Sequence, residues 1–165
     1  MGLEVLIIGK SAREHAISYM YEKSDIVESI IVAPGNDFMA YKRKKSVSID
    51  KKCSLKDPKS ILGIANKYSP DLIDIAQDDA LAAGTVDILE SNGFTVFGPI
   101  KKASRIEWDK KWSREFMKKY DIPTPFFNSF NSEELAINYV KKLYSKEPKK
   151  IVYVKATGLC GERAR

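Results

Sequence analysis

The first place in this sequence where residue types and spacing could do chemistry is Gly9-Lys10-Ser11, between an apolar run and a helical pattern opening at Ala12-Arg13. A strand that ends in glycine and turns straight into a helix leaves unpaired backbone N–H groups at the helix N-terminus. Together with the helix dipole they favour an anion, and Arg13 adds positive charge beside them. The dinucleotide fingerprint G-x-G-x-x-G is not met, because only its first glycine is present. The second apolar run ends in Ala33-Pro34-Gly35-Asn36 rather than in a ribose-binding acid, which argues against NAD. A tight turn with nothing bound fits the same residues, and both readings stay open. His15 reads as a hydrogen-bonded packing residue, and a plain surface pair with Glu14 is the alternative to a ligand role for Arg13.

A second place is the end of the sequence. Lys155 closes the apolar run Ile151–Val154 and precedes Ala156-Thr157-Gly158-Leu159-Cys160-Gly161. Backbone N–H groups of a glycine-containing loop can cover phosphates, and a lysine ammonium is a compact charge suited to them. Lys110 stands at the start of an amphipathic stretch, where a solvated helix lysine is an equal reading. Cys53 and Cys160 lie far apart without a C-x-x-C partner, so neither a zinc site nor a disulfide framework is expected.

Short strands alternating with helices must position these residues. Strands are expected at Glu4–Ile8, Ser29–Ala33, Ser46–Ile49, Asp71–Ala76 and Thr95–Phe97. Helices are expected at Ala12–Glu22, from Asp57-Pro58 to Tyr68, and at Leu81–Ser91 with Asn92-Gly93 as the stop. Such alternation means an α/β fold with a Rossmann-like parallel sheet covered on both faces. After Lys102 the pattern changes. Asp109–Tyr120 reads as an amphipathic helix stopped by Pro123 and Pro125, and Phe126–Phe130 as a strand. Asn131 with Glu134 reads as a capping box for a helix Glu133–Tyr144, and Ile151–Lys155 as a final strand. The expected domains are 1–102, and 103–165 as the interrupted start of a second.

Composition sets broad limits. Apolar residues make up 44% and charged residues 30%, ordinary for a globular protein rather than a disordered one. No apolar run approaches a membrane span and no secretory signal is present, so a cytoplasmic protein without membrane contact is expected. The net charge of +6 comes from scattered lysines and arginines with no aromatic RNA-binding signature. That favours solvated basic residues over a nucleic-acid partner.

The segment Ile7-Ile8-Gly9-Lys10-Ser11-Ala12-Arg13-Glu14-His15-Ala16 resembles the G-x-G-x-R-E-H-A opening of the glycinamide ribonucleotide synthetase family (phosphoribosylamine–glycine ligases) of the ATP-grasp superfamily. Val32-Ala33-Pro34-Gly35-Asn36 is similar to its A-P-G-N, and Leu81-Ala82-Ala83-Gly84-Thr85-Val86-Asp87 to its L-A-A-G-x-x-D helix. Phe97-Gly98-Pro99 and Lys155-Ala156-Thr157-Gly158-Leu159 complete the set in the family's order.

The resemblance implies a pre-ATP-grasp domain followed by the start of an ATP-grasp domain. It implies glycine and 5-phosphoribosylamine as substrates, with contacts from Gly9, Ser11, Arg13, Asn36 and Asp78. It also implies ATP held by Lys110, Lys155, Gly158, Leu159 and Gly161, and Mg²⁺ whose ligands would follow Arg165. The chain alone is then expected not to complete the reaction. It departs from the family at Ala76-Gln77-Asp78, where G-P-E is usual, at Lys10-Ser11, and from Cys160 to Arg165. The alternatives are another ATP-grasp ligase, or a non-catalytic phosphosugar- or nucleotide-binding remnant.

Overall fold

The computed structural model describes residues 2–159. The chain divides into two compact units, Met1–Arg105 and Ile106–Arg165. The first is an α/β unit in which, among the described residues, five strands form one parallel sheet in the order β3-β2-β1-β4-β5. The strands are β1 (Leu3–Gly9), β2 (Val27–Pro34), β3 (Ser46–Ile49), β4 (Leu72–Ile75) and β5 (Val96–Phe97). The order reverses direction beside β1, which makes the C-terminal ends of β1 and β4 the two sides of a crevice of the kind that holds ligands in open α/β sheets.

Side-chain alternation gives the sheet two apolar faces. Leu6, Ile8, Ile31, Ile73 and Ile75 face one layer, covered by α2 (Pro58–Tyr68), α3 (Asp78–Ala83) and α4 (Thr85–Ser91) through Ile61, Ile64, Leu81 and Leu89. Val5, Ile7, Ile30 and Val32 face the other, covered by α1 (Ala12–Glu22) and by Met39 of the 3₁₀ turn Asp37–Ala40. Asp57 caps α2 by accepting from the Lys59 N–H at 3.0 Å, with Pro58 at the first helical position.

A buried ion pair ties the β2–β3 connection to α1. Arg43 Nε meets Glu22 Oε1 at 3.2 Å, the Lys44 and Lys45 N–H groups donate to the same oxygen, and Arg43 also donates to the Ser18 carbonyl at 2.8 Å. Burial alone would raise the Glu22 pKa. The two backbone donors and the guanidinium outweigh it and hold the carboxyl below its ordinary value.

Two expectations for this unit need correction. The helix expected at Leu81–Ser91 begins three residues earlier, because Gln77 takes extended backbone as N-cap and Asp78 and Asp79 suit the positive end of the helix dipole. It is also broken at Gly84, whose φ of +87° stops α3 and starts α4. Between β5 and the next expected helix the chain forms α5 (Lys101–Trp108), where no element was expected; the Ile100 carbonyl accepts from Ala103 and Ser104.

The second unit contains α6 (Lys110–Lys119) and α7 (Glu133–Lys146). Asp109 caps α6, accepting from Trp112 N at 3.0 Å, and Trp112, Phe116 and Tyr120 stack along one side. The cap of α7 is Ser132, whose hydroxyl accepts from Leu135 N at 3.2 Å, rather than Asn131. Phe126–Phe130 and Ile151–Lys155 form no strand. A strand exists only through its hydrogen-bonded neighbour, and among the described residues neither segment has one. Phe126 is 80% exposed and Val154 91%.

Candidate functional site

Three strand ends are fastened together around the crevice. At the end of β1, Gly9 has φ +150°, and a Cβ there would stand 2.2 Å from Glu14 Cγ, so only glycine fits. The Gly9 carbonyl accepts from Gly35 N at 2.9 Å, and the Lys10 carbonyl accepts from Asn36 Nδ2 at 2.9 Å. These bonds staple the Pro34-Gly35-Asn36 turn of β2 to the loop after β1. Across the switch point, the Arg13 guanidinium donates to the Ala76 carbonyl at 2.6 Å and to Asp78 Oδ1 at 3.1 Å. Gly9, Ser11, Arg13, Asn36 and Asp78 are thus gathered on one rim, with Arg13 and Asp78 partly exposed there (49% and 33% of their side chains).

The N-terminus of α1 holds an acid of its own. Glu14 is fully buried, and its Oε2 accepts from Ser11 N at 2.8 Å and from Ser11 Oγ at 2.5 Å. The surface pairing of Arg13 with Glu14 is therefore overturned, because Glu14 points inward beneath Gly9. The Ser11-x-x-Glu14 spacing carried that signal, since it is the pattern of a capping box. Asp74 was also missed. It stands in the middle of β4 with only 4% of its surface exposed, and Tyr21 Oη donates to its Oδ2 at 2.8 Å. Burial raises the Asp74 pKa above the usual carboxylate range; the Tyr21 hydroxyl opposes the rise and the neighbouring Glu14 adds to it. An acid inside the apolar run Leu72-Ile73-Asp74-Ile75 was the readable sign.

The expected nucleotide residues lie in the second unit. Lys110, at the start of α6, donates its N–H to the Thr157 carbonyl at 2.7 Å, and its Nζ lies 3.5 Å from the Gly158 carbonyl. The sequence separation of Lys110 and the Thr157-Gly158 loop is thus closed in space. Lys155 and Leu159 are exposed on either side of that loop, and Gly161 lies outside the described residues. His15 is half-buried on α1. Burial pushes the Cys53 thiol up to about 11, with the Asp50 charge adding to it, so it is not an activated nucleophile.

Comparison with known proteins decides the family. The model of the phosphoribosylglycinamide synthetase N domain matches residues 3–107, and that of the same family's ATP-grasp (A) domain matches residues 108–164. The chain belongs to the phosphoribosylglycinamide synthetase family. It is 35% identical over 157 residues to the phosphoribosylamine–glycine ligase of Streptococcus suis and 34% identical over the same length to that of Fusobacterium nucleatum. Those alignments cover 95% of this chain but only 35% and 34% of the relatives, so the chain spans about a third of their length.

Among solved structures, the biotin carboxylase domain of a single-chain bacterial carboxylase aligns with TM-score 0.60 at 13% identity, over 86% of this chain and 34% of that one. Glycinamide-RNase-transformylase T from Mycobacterium tuberculosis aligns with TM-score 0.56 at 15% identity, over 86% and 38%. These structural likenesses show the fold.

Proposed function

We propose that this chain provides the phosphosugar-binding domain, and the opening part of the nucleotide-binding domain, of an ATP-dependent ligase joining glycine to 5-phosphoribosylamine. The observation that carries the reading is the meeting of Gly9, Ser11, Arg13, Asn36 and Asp78 at the switch point of a chain that matches the family's N domain.

In this reaction ATP phosphorylates the glycine carboxylate, giving ADP and an acyl phosphate. The amine of phosphoribosylamine attacks the acyl carbon, phosphate leaves, and glycinamide ribonucleotide remains. The protein's part is positioning and charge neutralisation. Arg13, half exposed at the crevice mouth, faces the ligand phosphate, with the N-terminal end of α1 beside it. Asn36 and Asp78 frame the sugar. Lys110 and the Thr157-Gly158 loop hold nucleotide phosphates, with Lys155 and Leu159 beside them. Among the described residues no group of three or more His, Cys, Asp or Glu is placed to hold a metal ion, so no step is assigned through Mg²⁺. No helix among the described residues is long and apolar enough to cross a membrane, and a cytoplasmic setting with small-molecule substrates goes with this reading.

Calorimetric titration with ribose 5-phosphate and, separately, ATP tests it. A charge-assisted hydrogen bond contributes about 1.5–3 kcal/mol, so Arg13→Ala should weaken ribose 5-phosphate binding about tenfold or more and leave ATP unchanged. Lys110→Ala should do the reverse. Absence of ribose 5-phosphate binding to the unmodified chain would refute the phosphosugar assignment.

A further inference from the structure

Both hydrogen-bond donors of Ser11 are committed within the protein. Its N–H donates to Glu14 Oε2 at 2.8 Å, and its hydroxyl donates to the same oxygen at 2.5 Å, the length of an O–H bonded to a carboxylate. Its carbonyl accepts from His15 N at 3.1 Å. The capping-box geometry turns one lone pair of the hydroxyl oxygen toward the Glu14 N–H. A hydroxyl oxygen has two lone pairs, so the second is what Ser11, exposed at the crevice mouth, has left to offer. Glu14 keeps it so. It is fully buried beneath Gly9, where an added Cβ would stand 2.2 Å from its Cγ, and its Oε1 has no hydrogen-bond partner among the described residues. Turning either Ser11 donor outward would strip a partner from a buried carboxylate that already has one oxygen unpartnered, which is costly.

We propose that Glu14 is a positioning residue that makes Ser11 Oγ an acceptor-only contact, which takes a hydroxyl or amine of the ligand and leaves the ligand phosphate to Arg13. A phosphate oxygen needs donors, and Ser11 turns none outward. The Asp78 carboxylate on the same rim is an acceptor too, whereas the half-exposed Arg13 guanidinium carries donors alone. The rim therefore sorts the two ends of a sugar phosphate, its donor-bearing ring from its anion. The ligand contact rests on the ligase reading; the donor geometry at Ser11 does not.

The test is calorimetric titration of the whole chain with ribose 5-phosphate and with inorganic phosphate, joined to amide NMR of Ser11. Without ligand, the Ser11 amide proton should be protected from solvent exchange. Ser11→Ala should weaken ribose 5-phosphate binding about two- to tenfold, the share of one neutral hydrogen bond, and leave inorganic phosphate unchanged. Ser11→Thr keeps the oxygen and should restore the affinity. Glu14→Leu releases both Ser11 donors and should raise the affinity for inorganic phosphate, whereas Glu14→Gln keeps an acceptor for them and should not. If Glu14→Leu does not fold, the Ser11 variants still decide. An unprotected Ser11 amide, a Ser11→Ala chain that loses inorganic phosphate as much as ribose 5-phosphate, or one that loses neither would each overturn the proposal alone. A chain that binds no ribose 5-phosphate refutes the ligase reading and this contact with it.

Discussion

Replacing Gly9 by alanine strikes the candidate site through its scaffold rather than its ligands. The new Cβ would meet Glu14 Cγ at 2.2 Å, Cδ at 2.4 Å and Oε2 at 2.7 Å, and the backbone φ of +150° is itself unfavourable for alanine. Glu14 cannot move aside because it is fully buried. Backbone strain costs about 1–3 kcal/mol, and each Ser11 bond lost from the carboxylate about 1.5–3 kcal/mol. The terms overlap, since relieving one worsens another, and a net loss of about 3–5 kcal/mol is expected from a total stability of order 5–15 kcal/mol. Gly63 is the control. It lies exposed inside α2 with nothing within 4 Å of an added Cβ, so Gly63→Ala should stabilise by about 1 kcal/mol. Urea unfolding followed at the amide signals of β1 reads both variants. A Gly9→Ala chain within about 1 kcal/mol of the unmodified one would refute the argument, because Glu14 would then be free to relocate.

The other predictions concern the buried acids. Glu22→Ala strands the Arg43 guanidinium in the interior and should cost about 3–5 kcal/mol by urea unfolding, whereas adding Arg43→Met should recover much of that loss. Asp50 is held below its ordinary value by the Lys67 ammonium and the Lys52 N–H, with the Tyr68 hydroxyl assisting against burial. Like Glu22, it has a depressed folded-state pKa, so its contribution is complete above the ordinary carboxylate range and is lost as pH falls through the depressed value. Asp50→Asn should therefore flatten part of the acid limb of the stability–pH curve. The sign for Asp74 is opposite, because a raised carboxyl stabilises at low pH and loses that contribution as pH rises.

The βα alternation of the first hundred residues was legible because each boundary had a local cause. Asp57 with Pro58 fixed the start of α2, glycine ended β1, and α1 and β3 formed over the residues expected of them. The break at Gly84 was not legible, since a single glycine within a helical pattern is compatible with continuation and only its φ of +87° reveals two helices. The expected strands at 126–130 and 151–155 failed for another reason. Apolar β-formers state a capacity, and pairing is decided by a neighbour that lies elsewhere in the chain or outside it.

The same distinction governs the site. Motif residues marked the strand ends as expected places for a ligand, because glycine, asparagine and arginine carry recognisable roles there. They said nothing of what lies beneath, since an acid's burial depends on the packing of a helix against a sheet. Glu14 sits one residue from Arg13 in sequence, yet the first points into the core and the second to the crevice mouth, because successive residues on a helix stand about 100° apart. Whatever reaches the crevice therefore meets Arg13 and Asp78 directly. Glu14 is reached only through Ser11, whose N–H and hydroxyl both donate to that buried carboxyl.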